Sequence, residues 1–423
     1  MKFNFTVAGE NRFRAAGISL LIFLCAFSVA SAANTESDNN WVATWSASPQ
    51  PLWEGDFALP TNAPGNLEDR TLRQVARVSA GGERVRVVLS NRYGSKPLRI
   101  GAAHLALSGG EAEIVADSGR ALTFSGEKAA VIPPGASMVS DPVALSVKPL
   151  QQLAVSLYLP QPTPPQTFHW DGLQTAYIGD GNQVDSGEME IASTTNTRVF
   201  LSGILVDAEK KTRAVVAFGD SITDGNASTP DANHRWPDFL AERLAGRNIA
   251  VVNAGISGAR LLDSFMGENA LARFQRDVLG QPGVSTAVVL MGINDIGWPG
   301  SDLAPKKSLP EVGQMIGIYR QLIARAHLHD VRILGATLTP FENALDGAPV
   351  QNYYTEEKEA LRQEINRWIR ESGEFDAVID FDRALRDPDN PRHIRAEYDS
   401  GDHLHPGDAG YRAMAEAVDP ELL

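Results

Sequence analysis

Residues 214–222 read Ala-Val-Val-Ala-Phe-Gly-Asp-Ser-Ile, an apolar run that leads directly into a short polar turn. An apolar run bounded by turn residues predicts a buried strand. The turn after this strand carries Ser221, and residues that follow the carboxyl ends of parallel strands form the sites of open α/β sheets. The stretch therefore predicts an α/β fold that presents a serine at the edge of its sheet.

The same strand-like composition recurs along the rest of the chain. We predict strands at 214–218, 249–253, 287–291, 333–337 and 378–381. Amphipathic helical stretches lie between or beside them, at 236–244, 269–279, 311–327 and 356–370. Strands that alternate with helices pair in parallel, so we expect a three-layer α/β/α domain around a five-stranded parallel sheet of flavodoxin-like order.

The residues before this domain have a different pattern. Short runs of strand composition, such as 85–89 and 153–159, are separated by turns rich in glycine and proline, and no helical period persists. This pattern predicts a β-sandwich of jelly-roll type. A polar joint at 207–211 marks the change, and we divide the chain into a β-sandwich domain at 41–207 and an α/β domain at 212–423.

The N-terminal segment reads as a targeting sequence. Basic residues precede an apolar stretch at 15–29, and Ala30-Ser31-Ala32 fits the rule for signal-peptide cleavage. We expect residues 1–32 to be a signal peptide cleaved near Ala32, with an uncleaved membrane anchor as the alternative. The protein would then be secreted or periplasmic, and it would lack cysteine because Cys25 lies inside the segment.

Composition limits the partners of the chain. The 423 residues are 43% hydrophobic and 21% charged, as in soluble globular proteins, and the net charge is −14. This charge argues against a nucleic-acid partner and favours a neutral or apolar substrate. No second apolar stretch is long enough for a membrane helix, so we expect no stable membrane insertion after cleavage. The oligomeric state is left open.

Three further polar segments follow the Ser221 turn. They are Asn253-Ala254-Gly255-Ile256-Ser257-Gly258, Gly292-Ile293-Asn294-Asp295 and Asp402-His403-Leu404-His405-Pro406. A serine hydroxyl becomes an effective nucleophile when a base takes its proton, and a carboxylate three residues before a histidine can fix the tautomer of that base. On the residues alone, Ser221 could equally cap a helix, and both His403 and His405 could serve as the base.

Together, the four segments resemble the motif blocks of the SGNH (GDSL-type) esterases, in the same order. The resemblance implies a Ser221 nucleophile, a His405 base and an orienting Asp402. It also implies an oxyanion hole built from Ser221, Gly258 and Asn294, with Gly255 as a rival to Gly258. The departure from the family pattern is Ile222, where the family has leucine.

Other polar and aromatic residues are weaker candidates. We assign Asp220, Asp295 and Trp298 to substrate binding, with Asp295 also able to orient Asn294 or a loop. Aromatic residues of the first domain could stack on sugar rings or pack between the domains; they are Trp41, Trp45, Trp53, His169 and Trp170.

The resemblance implies serine-dependent acyl hydrolysis with no metal or cofactor. The N-terminal stretch, on Trp41-Val42-Ala43-Thr44-Trp45 and Leu89-Ser90-Asn91-Arg92-Tyr93-Gly94, is similar to a two-domain branch related to xylan-associated esterases of rumen bacteria. We therefore expect a secreted esterase that removes short acyl groups, acetyl above all, from a small-molecule or plant polysaccharide ester. The alternatives are a broad-specificity arylesterase or lipase, and a carbohydrate-binding protein with an inactive hydrolase domain.

Overall fold

The computed structural model describes residues 2, 40–53, 57, 59–347 and 350–423. The predicted signal peptide lies outside these residues, apart from Lys2. Asn39–Leu423 forms one compact unit. Over the described residues, none of the helices combines the length and the apolar character that a membrane span requires.

Residues 40–208 are mostly strand. In chain order the strands are β1 (Asn40–Ser46), β2 (Gln50–Pro51), β3 (Arg70–Arg77), β4 (Gly82–Ser90), β5 (Leu98–Ile100), β6 (Ala102–Gly110), β7 (Glu113–Ile114), β8 (Arg120–Ala121), β9 (Ala130–Ile132), β10 (Ser137–Val139), β11 (Val143–Val147), β12 (Gln152–Leu159), β13 (Thr167–His169), β14 (Ala176–Asp180), β15 (Ser193–Thr195), β16 (Arg198–Val199) and β17 (Leu201–Ala208).

These strands pair antiparallel in two larger sheets and smaller ones. One large sheet has the order β1-β17-β4-β10, with β11 also on β4, and the other has the order β15-β14-β3-β12-β6-β7, with β8 on β6. A third sheet has the order β16-β13-β2. Residues of both large sheets share one apolar core, which includes Val87, Leu105, Val155 and Ile204. The mostly-strand N-terminal domain is as expected, and its jelly-roll topology stays a prediction.

Residues 213–423 alternate strands and helices. The strands are β18 (Arg213–Gly219), β19 (Ile249–Gly255), β20 (Val284–Leu290), β21 (Arg332–Ala336) and β22 (Ala377–Ile379). The α-helices are α1 (Ser221–Asp224), α2 (Trp236–Leu244), α3 (Ala270–Phe274), α4 (Ile293–Gly297), α5 (Val312–His327), α6 (Glu356–Glu371), α7 (Phe381–Leu385) and α8 (Asp408–Ala417). A π-helical turn, Gln275–Leu279, continues α3, and a 3₁₀ turn, Pro420–Leu422, follows α8.

The five strands form one parallel sheet in the order β19-β18-β20-β21-β22. The prediction of a parallel five-stranded sheet is confirmed. Strand β18 is buried from Ala214 to Gly219, as expected for a parallel strand covered by helices. All five strands run in one direction, so the turns after β18, β19 and β20 meet at one edge of the sheet.

Most predicted elements differ from the observed ones by one to three residues at an end, and the differences at 378–381 and 269–279 are the informative ones. The strand predicted at 378–381 ends at Ile379, because Asp380 accepts a hydrogen bond from the Arg383 N–H and so caps the start of α7. The helix predicted at 269–279 changes from α to π geometry after Phe274.

The strand-rich residues pack directly on the parallel sheet. Val42 and Ala43 of β1 belong to the apolar core of the C-terminal part. Ala43 N–H donates to the carbonyl oxygen of Pro282 at 2.9 Å, and the Ser46 hydroxyl donates to the carbonyl oxygen of Asn253 at 2.7 Å. The two parts therefore share a core and backbone hydrogen bonds, so neither part buries its surface alone.

Candidate active site

Ser221 begins helix α1 at the carboxyl end of β18. Asp220 caps the helix by accepting a hydrogen bond from the Ile222 N–H at 3.1 Å. The residue before the cap has to be glycine, because a Cβ on Gly219 would come within 2.6 Å of the Leu290 carbonyl oxygen. The sharp strand-to-helix turn thus places Ser221 at the wall of a pocket, with only 6% of its surface exposed.

The loop before α8 places a histidine against this serine. His405 Nε2 lies 2.8 Å from Ser221 Oγ, and His405 Nδ1 lies 2.6 Å from Asp402 Oδ2. Asp402 Oδ1 accepts hydrogen bonds from the backbone N–H groups of Leu404 and His405, at 2.9 and 2.7 Å. Burial acts to raise the pKa of Asp402, but these bonds and the His405 ring hold it well below its usual range.

The ionised Asp402 fixes the tautomer of the base. Its carboxylate requires a proton on His405 Nδ1, which leaves the Nε2 lone pair facing the Ser221 hydroxyl. Ser221, His405 and Asp402 are therefore arranged so that a proton can leave the serine as its oxygen attacks.

The rival histidine pairs with a different carboxylate. His403 Nδ1 lies 2.5 Å from Asp399 Oδ2, and 45% of its side chain is exposed. Its φ of +61° turns the backbone between the two histidines. Of the two candidate bases, His405 is the one that contacts Ser221.

Hydrogen-bond donors surround the serine. Ser257, Gly258 and Asn294 line the same pocket as Ser221. Gly258 has a φ of +75°, and a Cβ there would lie 2.4 Å from Met266 Sδ, so only glycine fits. The rival Gly255 is already engaged, because its N–H donates to Asn253 Oδ1 at 2.8 Å.

The Asn294 amide is held in one orientation. Its Oδ1 accepts hydrogen bonds from Trp298 Nε1 at 3.0 Å and from the Tyr353 hydroxyl at 2.8 Å. Its Nδ2 donates one hydrogen to the Ala259 carbonyl oxygen at 3.1 Å. The second Nδ2 hydrogen remains for a group in the pocket, because an amide nitrogen carries two.

Asp220 and Asp295 lie behind the pocket wall. Asp295 accepts hydrogen bonds from the backbone N–H groups of Leu261 and Leu262, at 2.7 and 2.9 Å, and burial raises its pKa to about 6. Burial also raises the pKa of Asp220 to about 7, and its Oδ2 has no hydrogen-bond partner within the part of the chain that the structure describes. Both carboxyl groups face backbone and core, and we leave them out of the proposed substrate contacts.

The pocket above Ser221 is mostly apolar and has a volume of about 200 Å³. Its apolar walls are Leu59, Trp170, Met266, Trp298, Leu303, Leu345, Val350, Tyr353 and Leu404. Trp298 was predicted from the motif that it follows, and Trp170 was named among the aromatic residues of the first domain, whereas Leu59 was not singled out from the sequence. The pocket therefore combines a polar floor at Ser221 with walls from both parts of the chain.

Among the residues described, no three histidine, cysteine, aspartate or glutamate side chains are grouped closely enough to hold a metal ion. The pocket itself offers a serine hydroxyl, a histidine imidazole and several N–H donors.

Comparison with known proteins bears on this part of the chain. Residues 217–413 match the sequence profile of the GDSL-like lipase/acylhydrolase family. No curated relative matches the chain.

Solved structures resemble about half of the chain. An acetyl xylan esterase has 19% identity and a TM-score of 0.35, covering 48% of this chain and 96% of its own. A carbohydrate acetylesterase from Sinorhizobium meliloti has 15% identity and a TM-score of 0.37, covering 49% and 96%. A GDSL-like lipase from Bacteroides thetaiotaomicron has 16% identity and a TM-score of 0.38, covering 50% and 89%.

Proposed function

We propose that this hydrolase is a serine esterase whose nucleophile is Ser221, because residues 217–413 match the profile of the GDSL-like lipase/acylhydrolase family. His405 is the general base and Asp402 orients it. The observation that carries the proposal is the 2.8 Å contact between His405 Nε2 and Ser221 Oγ, on the wall of an apolar pocket.

In the first half of the reaction, Ser221 Oγ attacks the ester carbonyl carbon while His405 Nε2 takes the hydroxyl proton. The carbonyl oxygen becomes an oxyanion, stabilised by the N–H groups of Ser221 and Gly258 and by Asn294 Nδ2. One such donor is worth roughly 3 kcal/mol of transition-state stabilisation. The intermediate expels the alcohol, which receives the proton from His405, and an acyl-enzyme remains on Ser221.

In the second half, water attacks the acyl-enzyme. His405 Nε2 removes a proton from the water, the same donors stabilise the second oxyanion, and the carboxylic acid leaves as Ser221 regains its proton. The sum is one ester and one water converted to an acid and an alcohol.

The pocket indicates the class of ester. Among the residues that the structure describes, the pocket lining holds no charged group except at the catalytic residues, which favours an uncharged group in the part of the substrate that it binds. A volume of about 200 Å³ is larger than an acetyl group requires, and favours a short or medium acyl chain or an aryl group. We therefore propose an esterase of broad specificity toward small apolar esters.

Acetylated plant polysaccharide is the second candidate substrate. The observation that favours it is an aromatic rim beside the pocket: Phe265 is 42% exposed, and its ring lies 4.7 Å from that of Phe57. Partly exposed aromatic rings offer flat apolar surfaces for the face of a sugar. Action outside the cytoplasm, which residues 1–32 predict, would bring the enzyme to such polymers.

Three measurements test this function. The full chain is assayed on aryl esters of two to ten acyl carbons and on acetylated xylan. A fluorophosphonate is used to label the nucleophile, and the labelled peptide is identified by mass spectrometry. We expect hydrolysis of the aryl esters, labelling at Ser221, and loss of both in Ser221→Ala but not in Ser146→Ala, which removes an exposed hydroxyl from β11. Undiminished turnover in a folded Ser221→Ala protein would contradict the proposal.

A further inference from the structure

The segment His169-Trp170-Asp171 of the N-terminal part reaches the surroundings of Ser221 at three points. Trp170 lines the pocket, and Asp171 Oδ2 accepts a hydrogen bond from Asn226 Nδ2 at 2.7 Å. His169, at the end of β13, is 5% exposed and lies 2.9 Å from Asp224 Oδ1 through its Nε2 atom. Asp224 is the last residue of the helix that Ser221 begins.

Both ring nitrogens of His169 face acceptors. Nδ1 lies 3.0 Å from the carbonyl oxygen of Ser48, which can only accept, so Nδ1 carries a hydrogen. Nε2 faces the Asp224 carboxylate, so a second hydrogen has to lie between them. The pair is therefore an imidazolium with a carboxylate, or a neutral imidazole with a carboxylic acid.

The other oxygen of Asp224 favours the charged form of the pair. Asp224 Oδ2 accepts two hydrogen bonds from Ser257, one from the backbone N–H at 2.9 Å and one from the hydroxyl at 3.0 Å. Burial acts to raise the pKa of Asp224, but the charge and hydrogen bond of His169, the charge of Arg235 and the Ser257 hydroxyl together lower it. An ionised Asp224, 1% exposed, thus takes its counter-charge from Arg235 and from His169, and His169 also hydrogen-bonds to it.

Ser257 connects this pair to the oxyanion hole. It directly precedes Gly258 and is itself 2% exposed. Because Asp224 binds both the N–H and the hydroxyl of Ser257, it fixes the backbone just before the Gly258 N–H.

We propose that His169 is a positioning residue: through Asp224 and Ser257 it holds the Gly258 N–H in place beside Ser221. The strand-rich part would thereby complete the active site of the parallel-sheet part. The inference rests on the proposed function, because it assigns Gly258 to the oxyanion hole.

The loss of His169 should lower kcat. Removal of an oxyanion donor lowers kcat by about 10²–10³-fold, and a displaced donor loses part of that. Without His169, the buried Asp224 would either take up a proton or shift toward another cation, and in both cases its bonds to Ser257 would change. Ground-state substrate binding depends mainly on the apolar walls, so KM should change little.

A simpler role for His169 would be to hold the two parts of the chain together. Arg77 provides the matched control, because it also joins the parts. From β3, its Nη1 donates to Glu242 Oε1 at 2.8 Å and its Nη2 donates to the Asn233 carbonyl oxygen at 3.1 Å. Arg77 lies outside the pocket lining around Ser221.

The test compares His169→Gln with Arg77→Gln in the full chain. We measure kcat and KM on a short aryl ester, the affinity for phenylboronic acid, which forms a tetrahedral adduct with a serine, and the melting temperature. For His169→Gln we expect a fall of roughly 10–100-fold in kcat, an equal loss of boronate affinity and a KM within about twofold of wild type. For Arg77→Gln we expect wild-type kcat and boronate affinity, even at an equal loss of melting temperature.

Other outcomes overturn the inference. They are wild-type kcat in a folded His169→Gln protein, or an equal fall of kcat in both variants.

If His169→Gln does not fold, Asp224→Asn is compared with Asp224→Ala, because an asparagine can still accept from Ser257 while its Nδ2 donates to a neutral His169. A higher kcat in Asp224→Asn supports the inference, and equal wild-type kcat in both overturns it. A failure of the proposed function can be told apart from a failure of this inference, because the wild type itself would then show no turnover that depends on Ser221.

Discussion

His405 Nε2 contacts Ser221 Oγ at 2.8 Å across 184 positions of sequence. The contact depends on the C-terminal helix α8, which is tied to the turn after α1. The Tyr411 hydroxyl donates to the Asn226 carbonyl oxygen at 2.6 Å, and Arg243 Nη1 of α2 donates to the Val418 carbonyl oxygen at 2.8 Å. The end of the chain is thus anchored beside the serine, which holds the His405 loop at its distance.

Replacing each histidine of this loop separates the two candidate bases. We expect His405→Ala to lower kcat by at least ~10³-fold, because among the described residues His405 is the base that contacts Ser221 Oγ. His403→Ala should keep activity within about threefold, since its partner is Asp399. Steady-state kinetics on a short aryl ester, with circular dichroism of both variants, give the comparison. A large loss in His403→Ala with normal activity in His405→Ala would reverse the assignment.

The Asn294 amide offers a graded test of the oxyanion hole. Asn294→Ala should lower kcat by about 10²-fold with little change in KM. Tyr353→Phe removes one of the two donors to Asn294 Oδ1 and leaves Trp298 Nε1, so we expect a smaller fall, about fivefold. The neighbouring Tyr354→Phe, outside the pocket lining, is the control and should retain wild-type kcat. Equal kcat in wild type and Asn294→Ala would remove Asn294 from the mechanism.

Asp220 should make stability depend on pH. Its pKa is raised in the folded state to about 7, so the folded protein holds a proton that the unfolded chain has lost. This contribution is fully present below about pH 4, near the ordinary aspartate pKa, and is lost as the pH rises through about 7.

Asp220→Asn should therefore flatten the decline of unfolding free energy between pH 4 and 7. The difference is at most about 4 kcal/mol, since each pKa unit is worth about 1.4 kcal/mol. Urea unfolding at pH 4.5 and pH 8 measures it, with Asp117→Asn, an exposed carboxyl on a turn, as the matched control. An identical pH slope in Asp220→Asn and wild type would show that Asp220 is not the group responsible.

Trp170 should set the preference for acyl chain length. Replacing it with alanine opens one wall of the pocket, so we expect KM for a six-carbon acyl ester to rise about fivefold while KM for the acetyl ester stays within about twofold. Trp41→Ala is the control, because Trp41 packs under Arg86 at 4.8 Å and lies outside the pocket lining. A parallel rise in KM for all chain lengths would indicate a general disturbance of the site.

The sequence alone predicted the features of the fold and site that depend only on a local pattern of residues. The apolar run before Ser221 forms β18, and the three-residue spacing of Asp402 and His405 allows the contact between their side chains. The same pattern could not separate His403 from His405, because the choice depends on how the loop turns at His403.

The features of the site that the sequence did not predict depend on packing between residues far apart in the chain. Tyr353, which binds Asn294, lies on a different segment, and nothing in its local sequence points to an amide. Asp220 and Asp295 stand inside active-site motifs, yet their carboxyl groups turn to backbone N–H groups, a direction that spacing alone does not reveal. The helix α8 was not predicted either, although Tyr411, Met414 and Ala415 lie at helical spacing and are buried.

The segment at 169–171 limits how this protein can be truncated or fused to other domains. A gene fragment that encodes residues 213–423 carries Ser221, Asp402 and His405, but it leaves Asp224 without its partner and the pocket without one wall. A chimera that joins this hydrolase to a foreign strand domain has to supply a histidine in the same place, or lose the charge at Asp224 as well. The polar joint at 207–211 could serve as the boundary in a fusion protein, yet the parts on either side of it have to come from the same protein.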